Sequence, residues 1–173
     1  MTDCDCPPAS NQKNEFLWQH LCPQDGTKGK PVKLITLKSL LVPRALEQLD
    51  ATLSYEFCAN ESCPVVYFSE QGKVFMTSDL KVPVFQKEVD EAVLVCYCFG
   101  WSRQRIRETL EQSGKNSDVM DVVDIIVDKG VDTVVDTIKA HIQAKRCGCE
   151  VNNPQGACCL GNIRLVAAQM LAK

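Results

Sequence analysis

Two groups of cysteine carry the chemistry this chain can do. The first is Cys22 followed at a distance by Cys58 and Cys63, which bracket "ANES". The second is the C-x-C of "CYCFGW", Cys96 and Cys98, together with Cys147, Cys149, Cys158 and Cys159 in "CGCEVNNPQGACCLGN". Cys4 and Cys6 complete a total of 11. In a reducing compartment, clustered cysteines bind metal more often than they form disulfides. A set of small buried hydrophobes would explain scattered cysteines, but not repeated C-x-C and C-C spacings.

The first group lacks one ligand for a closed tetrahedral zinc site. Asp25 stands at the C-x2-D position of "CPQDG", and carboxylate oxygen is an acceptable zinc donor. His20, Cys4 and Cys6 compete for the same role. In the second group, "NNPQG" is a turn that returns Cys158 or Cys159 towards Cys147 or Cys149. Four thiolates from such elements suit zinc or an iron–sulfur cluster. Successive side chains at a helix start point about 100° apart, so one site is not expected to use both Cys158 and Cys159. An extended C-x-C points both side chains the same way, which leaves Cys147 and Cys149 equivalent on spacing alone.

These groups need elements to hold them. Residues 1–20 read as a loosely held arm in which Pro7 and Pro8 exclude helix. Residues 21–88 read as a β-rich unit. Gly26, Gly29, Pro23 and Pro31 are turn residues, a short helix is interrupted near Pro43, and "VVYF" and "KVFM" flank "SEQG" as a hairpin. Residues 89–173 read as helical. Ser102 caps a helix that should end before Gly114. Val119, Val122, Val123, Ile126 and Val127, then Val131, Val134, Val135, Ile138 and Ile142, give two amphipathic helices or one broken at Gly130. "LGNIRLVAAQMLAK" forms the last helix. The recurring aspartates between Asp118 and Asp136 read as a solvated face rather than a cation site.

The formal net charge of −3 argues against nucleic acid. No apolar stretch reaches the roughly 20 residues of a membrane helix. "MTDCDCPPAS" has neither basic start nor apolar core, so it is no secretory signal and a cytoplasmic location is expected. No catalytic dyad accompanies His20 or His141, so electron transfer or metal-ion reduction is expected rather than substrate turnover.

"CYCFGWSRQRIRE" with "CGCEVNNPQGACCLGNI" resembles the N-terminal domain of CopZ-type copper chaperones that carry an iron–sulfur cluster. The helical half is similar to bacterioferritin-associated ferredoxins. "CPQDGTKGKPVKL" and "YEFCANESCPVVYF" resemble the zinc-binding part of the CopZ-type domain. The resemblance implies an α+β fold, a zinc-ribbon-like β unit followed by a helical 2Fe–2S domain. It implies cluster ligands Cys96, Cys98, Cys149 and Cys159, and zinc ligands Cys22, Cys58 and Cys63 with Asp25 in the fourth place. It further implies a redox or metal-transfer partner and a part in copper handling. Tyr97, Phe99 and Trp101 are expected to border the cluster, and Arg103, Arg105 and Arg107 to dock an acidic partner. Two other readings stand beside it: Cu(I) capture by the spare thiols Cys4, Cys6, Cys147 and Cys158, and a structural two-zinc adaptor. The chain departs from full-length copper chaperones in having no C-x-x-C, and its interval from Cys98 to Cys149 is longer than in the related ferredoxins.

Overall fold

The computed structural model describes residues 20–115 and 123–171. Cys4, Cys6, the expected arm, and positions Val119, Val122, Asp118 and Asp121 lie outside the described residues. The first half is built on a four-stranded antiparallel sheet in the order β1 (Lys30–Val32), β2 (Tyr55–Phe57), β3 (Val65–Ser69) and β4 (Val74–Met76). Register pairs Pro31 with Glu56, Glu56 with Phe68, and Phe68 with Val74. The expected hairpin is β3–β4, closed by the Ser69 and Gly72 turn. Every residue of β3 is buried, because one face meets the helices and the other the cysteine loops. That explains why "VVYFS" shows no polar alternation.

Between β1 and β2 lie α1 (Leu34–Leu40) and α2 (Pro43–Leu46). Pro43 opens α2, where its missing N–H costs nothing, so the chain breaks and restarts as expected. Leu37, Leu41 and Ala45 pack with Tyr55, Phe57, Tyr67, Phe75 and Val84 in one core. Across the sheet, Cys22, Cys58 and Cys63 pack with Val65 and Phe68.

The second half begins with a two-stranded hairpin that sequence reasoning missed, β5 (Leu94–Cys96) and β6 (Trp101–Ser102). Gly100 at φ +64° makes its turn. Three longer helices follow: α3 (Arg103–Lys115), α4 (Val123–Gln143) and α6 (Leu160–Leu171), with a single turn α5 (Cys149–Asn152) before the last. Ser102 Oγ accepts from the Arg105 amide at 3.1 Å, as expected of a cap. Two boundaries differ from expectation. Helix α3 runs through Gly114 to Lys115, and α4 passes unbroken through Gly130. An interior glycine costs about 1 kcal/mol against alanine. Burying Val134, Val135 and Ile138 in the second core gains roughly 1.5–3 kcal/mol each, so packing wins. On the described part of α4, Asp132 and Asp136 are exposed, in line with a solvated face.

Candidate metal centres

The first site is assembled by two turns. Gly26 N–H returns to Cys22 O and Cys22 N–H to Thr27 O, both at 2.8 Å, so Cys22 and Asp25 sit in one tight loop. Cys58 directly follows β2 and donates its amide to Val66 O. Asn60 Oδ1 accepts from Ser62 N–H at 3.1 Å, which curls 59–62 and brings Cys63 back beside Cys58. The ligand atoms of Cys22, Asp25, Cys58 and Cys63 all lie within 4.8 Å of one another. Cys22 Sγ and Cys63 Sγ are 3.8 Å apart, and a tetrahedron with Zn–S near 2.3 Å has an edge of about 3.8 Å. The donor set therefore fits a zinc ion.

Its electrostatics point the same way. Burial pushes the Cys58 thiol up to about 12 and raises Cys22 as well. Thiols this buried ionise only against a cation. For Asp25, the modest burial opposes charge, but the Thr27 amide, Cys22 and the Asn60 amide outweigh it and hold the carboxyl below the usual range. His20 takes no part in the donor set, since its Nδ1 meets Glu56 Oε1 instead. One supporting residue was missed. Lys87 Nζ donates to Asn60 O and Cys63 O, both at 2.8 Å, behind the ligand turn. No local pattern marks a lysine 24 residues beyond Cys63 as its brace.

The second site draws on three elements. Cys96 ends β5, Cys98 lies in the hairpin turn, Cys149 opens α5 and Cys159 immediately precedes α6. Cys98 Sγ and Cys149 Sγ are 3.8 Å apart. Cys159 interacts electrostatically with both Cys149 and Cys96. Cys96 and Cys159 are 0% and 2% exposed, while the other two are half-buried. The set is wider than the first: among the described residues only the Cys22 group brings all its ligand atoms within 4.8 Å. Interaction with Cys159 pulls Cys149 down to about 6 and lowers Cys96, whereas the neighbouring Cys149 and Cys96 together with burial hold Cys159 far up.

The remaining thiols divide. Cys158 is exposed, and Cys147 is half-buried within reach of Cys149. Both line a cavity of about 460 Å³ with Ile142, Val151 and Ala157. The 147–149 segment is not extended: Cys149 begins a helical turn after Gly148 at φ −129°, ψ 54°. The extended-strand argument for Cys147 and Cys149 therefore does not apply.

The three arginines expected to dock a partner also make contacts within the chain. Arg103 donates to Phe85 O and Asp90 O and covers the Phe85 ring at 4.4 Å. Arg105 binds Phe99 O and Gly100 O and covers Trp101 at 4.1 Å. Arg107 pairs with Glu91 at 2.6 Å. All three brace the hairpin and the preceding loop, while Arg105 and Arg107 remain exposed. Tyr97 likewise turns to the loop, donating to Pro83 O at 2.7 Å and accepting from Phe85 N–H. Phe99 stacks on His141 at 4.5 Å.

Residues 19–81 match the model of a family described as a zinc binding domain, zf_CopZ. This part of the chain is a CopZ-type zinc-binding domain. The CopZ-type span contains Cys22, Asp25, Cys58 and Cys63, and ends before Lys87 and the second set. Over 138 residues the chain is 32% identical to the copper chaperone CopZ of Archaeoglobus fulgidus, covering 80% of this chain and 57% of that protein. The chain thus spans little more than half the length of this CopZ relative. It is also similar to the X-ray structure of the Archaeoglobus fulgidus CopZ N-terminal domain, with a TM-score of 0.61, 29% identity, and coverage of 83% of this chain and 94% of that one. No helix among the described residues is long and apolar enough to cross a membrane.

Proposed function

We propose that this is an electron-transfer protein of metal handling, copper foremost. Cys22, Asp25, Cys58 and Cys63 hold a structural Zn²⁺, and Cys96, Cys98, Cys149 and Cys159 hold a 2Fe–2S cluster. The observation that carries the second assignment is the convergence of these four thiols from three elements, with Cys98 and Cys149 Sγ at 3.8 Å and Cys159 interacting electrostatically with both Cys149 and Cys96. A bound 2Fe–2S cluster supplies one-electron chemistry. Cys96 and Cys159 anchor the site in apolar core that excludes water, and Cys98 and Cys149 form its outer edge. The zinc donors number four, which leaves no open position for a substrate. The division at residues 21–88 and 89–173 belongs to this proposal and is supported by two separate cores. Copper enters through the likeness to a protein named a copper chaperone, and the partner is a redox or metal-transfer protein.

The test is purification without air, followed by visible absorption and iron, sulfide and zinc analysis. The reading expects a coloured protein with about two irons and one zinc per chain. Colourless protein with zinc in both sites overturns it in favour of a structural adaptor. A second reading, Cu(I) capture by spare thiols, is favoured by the cavity that carries both Cys147 and Cys158. Soft thiolates select Cu(I), so a Cu(I) titration that the Cys147→Ser, Cys158→Ser double variant fails to reproduce would support it.

A further inference from the structure

The helical turn that opens at Cys149 does more than present one thiol. Gly148 and Asn152 both aim nitrogen at the sulfur of the β5–β6 turn: Gly148 N–H donates to Cys98 Sγ at 3.4 Å and Asn152 Nδ2 at 3.7 Å. Asn152 is exposed and 54 residues from Cys98, yet its amide is spent on sulfur. A Cβ at position 148 would come within 3.2 Å of that same amide nitrogen and 3.3 Å of Val151 Cγ2, so glycine keeps the approach open. The other sulfurs are served differently. Nearby backbone amides, those of Phe99 and Cys98 for Cys96 and that of Cys159 for Cys149, favour the thiolate at these two positions. Among the described residues, Asn152 is the side-chain amide given to a thiol of this set.

We infer that Asn152 is a positioning residue that sets the reduction potential of the centre held by Cys96, Cys98, Cys149 and Cys159, acting through Cys98 Sγ. The inference rests on the 2Fe–2S reading above. One-electron reduction adds one negative charge, with no bond broken and no proton moved. A donor aimed at sulfur favours the more electron-rich state, so it raises the potential. Removing the donor lowers it.

The experiment compares the full chain with Asn152→Leu, Asn152→Asp and Asn152→Gln, all prepared without air. Each is titrated with dithionite under mediators while absorption is followed, and iron and zinc are measured alongside. Asn152→Leu is expected to show a lower midpoint potential with unchanged iron and zinc, and Asn152→Asp a lower one still. Asn152→Gln, which keeps the amide, stays near the parent. If Asn152→Leu sheds iron, the isosteric Asn152→Asp carries the comparison. A loaded parent whose midpoint is unmoved by Leu and Asp, or shifted equally by Leu and Gln, overturns the role of Asn152 alone. A parent without iron sinks the cluster reading with it.

Discussion

On the proposed reading, single side chains decide which thiols bind metal. Cys158 and Cys159 are neighbours, yet one is exposed and the other 2% exposed and in electrostatic contact with Cys96 and Cys149. Cys159→Ser and Cys149→Ser are therefore expected to bleach visible absorption and release iron, while Cys158→Ser and Cys147→Ser leave both intact. Loss of iron in Cys147→Ser with retention in Cys149→Ser would move the ligand two residues back. In the zinc site the stakes are larger. Apparent ligation energies of structural zinc run about 10–16 kcal/mol in small peptides, which equals or exceeds the roughly 5–15 kcal/mol stability of a whole domain. Cys58→Ser should leave the β unit unfolded by circular dichroism and free of zinc. A folded, zinc-free variant would remove the structural assignment. Gly29 tests packing beside that site. A Cβ there would collide with the buried Glu56 carboxylate and come within 2.6 Å of the Phe68 ring. Gly29→Ala should cost about 1–3 kcal/mol in denaturant unfolding, the usual range for overpacking.

At the scale of elements, the parts of the fold readable in sequence were those with local signals. "VVYF" and "KVFM" around Gly72, Pro43 at a helix start, the Ser102 cap, and the spacing of Val134, Val135 and Ile138 each carried their structure within a few residues. The β5–β6 hairpin escaped because its strands are two and three residues long and its turn holds Cys98 rather than the usual pair of turn residues. The end of α3 was misread because a glycine stops a helix only when packing does not carry the chain past it. In the site, Cys22, Asp25, Cys58 and Cys63 were legible from type and spacing. Lys87 and Asn152 were not, since each acts across a long sequence interval on a backbone oxygen or a sulfur. The turn at Gly156 shows how closely an element is seated. It has φ +66°, and an added Cβ would lie 3.1 Å from Thr36 Oγ1 and 3.3 Å from Val32 Cγ1. Gly156→Ala is strained on both counts. It should lower stability by about 1–3 kcal/mol and speed iron release to a chelator, measured as the decay of absorption.

Across the whole molecule, the segment carrying Cys149 and Cys159 rests on the β unit. Thr36 Oγ1 donates to Glu150 O at 2.6 Å, Lys33 pairs with Glu150, and the buried Tyr67 hydroxyl donates to Pro154 O at 2.8 Å. Gln86 Nε2 adds a bond to Gln155. Tyr67→Phe would strand a carbonyl at a cost of about 1–3 kcal/mol. Zinc content should be retained and iron lost faster, so a variant that loses both metals together would show that the contact holds the sheet rather than the segment. These contacts span 114 and 87 residues of chain, which has a consequence for synthesis. A ribosome delivers the sheet, its helices and the zinc ligands long before Cys149 and Cys159 emerge, and N-terminal units fold first. The nascent chain can thus complete one metal site while the other still lacks half its thiols. Zinc supply during translation then governs whether a finished surface awaits the late cysteines. If the proposed centres hold, a cell short of zinc would release chains whose last thiols have nothing to settle on, and a zinc shortage would surface as an iron defect.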